Sequence, residues 1–142
     1  MEKNCIKYTG SGPIASALCM DKAKSKKIAV KIGVGTPKWE IIHNFKERIS
    51  IDTPFVVKPN DQGSTFGLSI VHRKDHILPA LKKAFSFGKT VLIEEYIKGR
   101  ELTVPIIDHK SYPILEIKPS HVLYDYQNHH KIQYGIFLKN HL

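Results

Sequence analysis

Residues 90–97, Thr-Val-Leu-Ile-Glu-Glu-Tyr-Ile, give the strongest strand signal in the chain, an apolar run that turns at Lys98-Gly99. They end a unit that starts at Pro54. Phe55-Val56-Val57-Lys58 reads as a short buried strand carrying a lysine, and Asn60 to Gly67 as a polar loop. Leu68 to His72 returns as a strand, with Leu68 and Ile70 on one face and Ser69 and Val71 on the other. From Asp75 to Phe87 the residues Ile77, Leu78, Leu81, Ala84 and Phe85 recur with helical period, and Gly88 ends the helix. Pro79 is tolerated only in the first turn, where its missing N–H breaks no helical bond. A β-loop-β-α-β order of this kind sets the class as α+β (mixed α/β).

The flanks follow the same rules. Tyr8 to Pro13, with two glycines and a proline, is loop. Residues 14–33 read as helix, with Ile14, Ala15, Ala17, Leu18 and Cys19 in one apolar stripe. Asp21 can N-cap a second helix after a short break, and Gly33-Val34-Gly35 stops it. Thr36 to Trp39 is extended around Pro37, and residues 40–52 are partly helical. Downstream, Leu102 to Ile107 and Tyr112 to Lys118 form a hairpin around Asp108-His109-Lys110-Ser111, with Pro105 marking an edge or a bulge. Residues 119–131 are polar loop.

Composition narrows the class. The chain has 142 residues, 42% hydrophobic and 25% charged, the balance of a soluble globular protein. A chain of this size buries about 68% of its unfolded surface and needs no disulfide or metal to fold. No apolar run reaches the roughly 18 residues of a membrane span. The start, Met1-Glu2-Lys3-Asn4-Cys5, has no hydrophobic signal core. Cys5 and Cys19 make neither a disulfide framework nor a paired zinc spacing, so a reducing, cytoplasmic setting is expected. The net charge of +9 favours an anionic partner: nucleic acid, acidic lipid or a phosphorylated ligand. Nucleic acid is set aside, because basic and aromatic residues are not interleaved and no nucleic-acid motif occurs. Walker A and dinucleotide fingerprints are absent. His129 and His130 are adjacent and cannot ligate from one helix face; only with His121 do they offer a candidate metal site, and no metal ligand is assigned.

Three features point to chemistry. Lys58 sits in an apolar strand, where an ammonium is costly unless an anion meets it or its stem snorkels to water. In Asn60-Asp61-Gln62-Gly63-Ser64-Thr65-Phe66-Gly67, two glycines frame two hydroxyls, a loop that can offer several N–H and O–H donors to one phosphate, or serve as a plain hairpin loop. Glu94-Glu95-Tyr96-Ile97, followed by Glu101, closes a hydrophobic strand with carboxylates. These suit an adenine amino group and ribose hydroxyls, or stand exposed beside Lys98 and Arg100 at little energetic value.

These residues carry a resemblance. Gly10-Ser11-Gly12, Met20-Asp21-Lys22, Thr36-Pro37, Val57-Lys58-Pro59, Gly63-Ser64-Thr65-Phe66-Gly67-Leu68-Ser69, Glu94-Glu95-Tyr96-Ile97, Gly99-Arg100-Glu101-Leu102-Thr103-Val104 and Tyr124-Asp125-Tyr126 occur in order and spacing. From about residue 2 to about residue 128 the chain resembles the D-alanine–D-alanine ligases, ATP-grasp enzymes of bacterial peptidoglycan synthesis. The resemblance implies that two D-alanines are joined through an acyl phosphate at the expense of ATP. Lys22 and Lys58 then correspond to lysines that contact ATP phosphates. The loop from Asp61 to Gly67 corresponds to the lid over the γ-phosphate, with Gly63, Thr65 and Gly67 among its donors and Ser64 as the catalytic serine. Glu94, Glu95, Tyr96 and Ile97 fall where adenine is held and Glu101 where ribose is held. Phosphoryl transfer is mostly positioning and charge neutralisation, which two lysines and a donor-rich loop supply.

The same resemblance implies three parts: residues 1–21 leading out of an amino-terminal domain, 22–100 as the ATP-grasp central subdomain, and 101–142 as the beginning of the carboxy-terminal ATP-grasp subdomain. It also implies that the glutamate for the first D-alanine, an arginine near the acyl group and the Mg2+ ligands belong to parts absent from this sequence. The expected partners are ATP and D-alanine, with no nucleic acid and no membrane, and the expected assembly is a homodimer or a complementing fragment. His129 and His130 stand where the family has a lysine–tyrosine pair, and Leu123 where an aromatic packs near adenine. The expectation is therefore an incomplete ligase, inactive alone. The alternative is a non-catalytic nucleotide-binding module, or one part of a split ligase.

Overall fold

The computed structural model describes residues 6–117. Readings that fall on residues 1–5 and 118–142, among them those on Tyr124-Asp125-Tyr126, His121, Leu123, His129 and His130, lie outside the described residues. The chain divides into two compact units, Met1–Tyr96 and Ile97–Leu142.

In the first unit, α1 (Pro13–Met20) and α2 (Lys22–Lys31) are separated by Asp21, whose carboxylate caps α2 by accepting from the Lys24 N–H. The apolar stripe expected on α1 is not core. None of its residues is buried, and Ile14 is 86% exposed. Four strands then form one antiparallel sheet: β1 (Trp39–Ile42), β2 (Phe55–Pro59), β3 (Ser69–Val71) and β4 (Val91–Glu95), in the order β1-β4-β2-β3. A 3₁₀ turn at Lys74–His76 leads into α3 (Ile77–Phe85), which joins β3 to β4. Pro79 lies in the first turn of α3, as its chemistry requires.

One face of the sheet carries the core. Ile42, Phe55, Val57, Val71, Val91 and Ile93 pack against Ala80, Leu81 and Ala84 of α3. Leu78 is not among them. It stands 49% exposed, because the buried line runs through positions 77, 80, 81 and 84 and leaves 78 on its flank. The opposite face presents Val56 and Lys58 of β2 and Leu92 and Glu94 of β4, since side chains alternate along each strand.

Residues 40–52 are not helical. Trp39–Ile42 pairs with Glu94–Val91 as strand β1, and the segment after it turns back. Side chains hold that turn: the Glu40 carboxylate accepts from the N–H and Oγ–H of Ser50 and the N–H of Ile51, and Glu47 accepts from the His43 N–H and the Asn44 amide. Such local side-chain acceptors compete with helix formation.

In the second unit, β5 (Glu101–Thr103) pairs with β8 (Leu115–Ile117), and β6 (Ile106–Ile107) with β7 (Lys110–Ser111). The expected hairpin is therefore interrupted at Val104-Pro105, where proline has no N–H to give the ladder. The Pro105 carbonyl still accepts from the Tyr112 N–H at 2.9 Å. Asp108 and His109, at φ 48° and 64°, make the left-handed two-residue turn that a tight hairpin demands. Among the described residues no helix is long and apolar enough to cross a membrane.

The assignment of core and flank is testable. Ile93→Ala is expected to cost about 2–5 kcal/mol through the cavity it leaves, whereas Leu78→Ala should stay within about 0.5 kcal/mol. Urea denaturation measures both; equal losses would contradict the placement of α3.

Candidate functional site

The site is assembled where the start of α2 meets the exit of β2. The Lys22 N–H donates to the Asn60 carbonyl at 3.0 Å, and the Ala23 N–H to Asn60 Oδ1 at 2.9 Å. The Asn60 amide in turn donates to Asp21 Oδ1 at 2.9 Å, and its backbone N–H to the Thr90 carbonyl at 3.0 Å. Asn60 is the one buried polar side chain among the described residues. It ties the first turn of α2 two residues beyond Lys58, so Lys22 and Lys58 are held on the same side of the sheet. The Lys22 ammonium reaches the Asn60 carbonyl at 3.3 Å and also donates to the Gln62 carbonyl.

Electrostatics record this closeness. Burial and the neighbouring Lys58 ammonium pull Lys22 below the ordinary lysine range, against Asp61, Glu94 and Asp21, which push it up. Asp21 is held at about 2, first by the Asn60 amide and then by the Lys24 N–H, with burial opposing. Glu94 is raised by burial, but the ammonium groups of Lys26 and Lys58 outweigh that and hold it below the usual carboxylate range.

Glu94 is gripped from both sides. Lys58 donates to its Oε1, and Lys26 lies 2.8 Å from its Oε2. Motifs do not single out Lys26 as a site residue, and Asn60 enters only as the first residue of the polar loop, with no role of its own. The spacing does contain one signal, since Lys26 is four residues after Lys22 and shares its helix face.

The loop after β2 makes two successive turns, with the Phe66 N–H donating to the Gly63 carbonyl and the Leu68 N–H to the Thr65 carbonyl. Ser64 and Thr65 both have positive φ, 50° and 59°, a strained state for residues with a Cβ. Ser64 is exposed at this tip. Gly67 is required by its φ of 71° and because a Cβ there would meet Pro59 Cγ at 2.8 Å. Phe66 stacks near Phe87 at 5.7 Å, which seats the far end of the loop.

Glu95 follows Glu94 in β4, so it points to the other face, and it is exposed. Tyr96 gives its N–H to the Pro54 carbonyl, and its ring meets His72 edge-on at 6.0 Å. Ile97 and Glu101 belong to the second unit. Among the described residues no three His, Cys, Asp or Glu side chains gather to hold a metal ion, so these residues do not by themselves fit a magnesium site.

The family described as "D-ala D-ala ligase C-terminus" matches residues 31–139. A D-alanine–D-alanine ligase of Pediococcus pentosaceus is 38% identical over 138 residues, which are 95% of this chain and 39% of that protein. The crystal structure of the Bacillus anthracis D-alanine–D-alanine ligase superposes with a TM-score of 0.76 at 38% identity, over 89% of this chain and 43% of that one. The same enzyme complexed with ATP superposes with a TM-score of 0.72, over 82% of this chain and 40% of that one. The chain thus spans about two-fifths of the length of the curated relatives it matches.

The Asp21–Asn60 tie has a pH signature. A carboxyl lowered from 3.8 to about 2 adds stability that is complete above its unfolded value and is lost as pH falls from about 4 toward 2. Asp21→Asn keeps a capping oxygen but cannot titrate. Urea midpoints of the wild type are expected to fall more than those of Asp21→Asn between about pH 6 and pH 3. Equal falls would contradict the tie.

Proposed function

Because this chain belongs to the D-alanine–D-alanine ligase family, matched over residues 31–139, we propose that it holds ATP for the ADP-forming ligation of two D-alanines in peptidoglycan synthesis. The observation that carries the reading is the convergence of Lys22 and Lys58 beside the loop of residues 60–67. Two ammonium groups that repel each other gain most from an anion placed between them, and a polyphosphate is such an anion.

In this reading Lys22 and Lys58 bind phosphate oxygens. The N–H groups of Gly63, Ser64, Thr65 and Gly67 close over them, with the Ser64 hydroxyl at the reacting end. The first D-alanine carboxylate attacks the γ-phosphate, ADP leaves, and the amine of the second D-alanine displaces phosphate from the acyl phosphate. Positioning and charge neutralisation are the work asked of this chain. Exclusion of water from the acyl phosphate is the work of the flap. Glu94, Tyr96 and Ile97 are proposed to border the adenine, Glu95 through its backbone alone, and Glu101 the ribose. Magnesium would supply further charge neutralisation to the phosphates, and no residue of this chain is assigned to hold it. The setting is proposed to be the reducing cytoplasm, with which the free, exposed Cys19 is compatible. Ligation as a whole is proposed to need more than the two-fifths of a relative's length that this chain spans, supplied by a complementing chain.

Calorimetry on the full 142-residue chain tests the reading. ATP should bind, and Lys58→Ala should weaken it by about tenfold or more, the loss of one charge-assisted hydrogen bond. Equal heats for both proteins would overturn it. Incubation with ATP, magnesium and D-alanine should release no phosphate above a blank; D-alanine-dependent release would show that the chain ligates unaided.

A further inference from the structure

We propose that Lys26 is a positioning residue, which holds the Glu94 carboxylate so that Lys58 can leave it for a phosphate oxygen. This rests on the reading of the site as a nucleotide site and assigns a role to a residue outside its phosphate-binding set.

The three side chains differ in how they are engaged. Lys26 Nζ lies 2.8 Å from Glu94 Oε2, donates to Thr36 Oγ1, and reaches the Pro37 carbonyl at 3.5 Å. An ammonium has three donors, so Lys26 has a protein partner for each. It is fixed between α2, β4 and the segment before β1, with no donor left over for a ligand. Among the described residues the Lys58 ammonium meets only Glu94, on its other oxygen. Lys58 is therefore the one of the two that can turn to an incoming anion.

Glu94 decides whether that turn is costly. Its side chain is 12% exposed, and those of Lys26 and Lys58 are 13% and 20% exposed. A buried carboxylate left without a partner is strongly unfavourable, whereas one that keeps a partner is not. With Lys26 in place, Glu94 remains paired after Lys58 swings away. Without Lys26, departure of Lys58 strands the charge, so Glu94 retains Lys58 and the phosphate site loses its cation. The strand register makes the exchange local. Val56 pairs with Glu94 and Lys58 with Leu92, so Lys58 and Glu94 are diagonal neighbours on one face.

A double-mutant cycle read by calorimetry on the full chain tests this. ATP and adenosine are the two probes. Lys26→Met is expected to weaken ATP by about ten- to a hundredfold, the scale of one unpaired buried charge, and to leave adenosine unchanged. In the Glu94→Gln background the same substitution should have no effect on ATP, because no carboxylate remains to be stranded. Lys26→Arg, which keeps the charge beside Glu94, should restore ATP binding. Circular dichroism checks that each variant folds. If Lys26→Met does not, Lys26→Gln, which retains donors for Thr36 and Pro37, takes its place in the cycle.

An equal loss of ATP affinity with Glu94 intact and with Glu94→Gln would overturn the proposal, since Lys26 would then act on the ligand directly. No loss in either background would overturn it too. A wild-type chain that binds ATP but shows no such coupling refutes this inference alone. A wild-type chain that binds no ATP refutes the nucleotide reading and this inference with it.

Discussion

The buried amide of Asn60 is the constraint on which the rest of the site depends. It accepts from the Ala23 N–H, donates to Asp21, and its backbone bonds to Lys22 and to Thr90. Neither α1 nor α2 buries a residue, so apolar packing does not locate these helices. Polar bonds do. A single side chain after β2 thereby sets where the first turn of α2 lies, and with it where Lys22 points. An Asn in this place costs little, because its carbonyl and amide groups both find partners.

The second determinant is the pairing of Glu94 with two lysines on the face opposite the core. The sheet has a dry side, where α3 covers Phe55, Val57, Val71 and Ile93, and a charged side floored by the fully buried Leu92. Period-two alternation in β2 and β4 keeps the two apart, so one pair of strands both anchors the unit and carries its chemistry. The low exposure of Glu94 is what makes its pairing matter, because solvent cannot screen a charge it does not reach.

Much of this is legible in the sequence, and the reasons differ by residue. The Asp21 cap is readable because capping is local. Lys58 is readable because an ammonium inside an apolar strand is anomalous. The strand at residues 39–42 is not, because Ile41 and Ile42 are held by Leu92 and Val91, about fifty residues on, and no local period reports such pairing. Glu94 and Glu95 read as one acidic pair, yet adjacent strand residues must face opposite ways. Lys26 does not stand out because five lysines crowd α2, and only the meeting of that helix with Glu94 distinguishes one of them. Asn60 looks like ordinary turn material until its neighbours in space are known.

The central claim is that Lys22 and Lys58 grasp one polyphosphate together. Two-dimensional NMR of the 15N-labelled lysine side chains, during titration with a non-hydrolysable ATP analogue, tests it most directly. The account predicts that the Lys22 and Lys58 signals shift together and saturate at one ligand concentration, while exposed lysines such as Lys89 and Lys110 stay in place. Shifts spread across the exposed lysines, or a shift of one of the pair without the other, would contradict it.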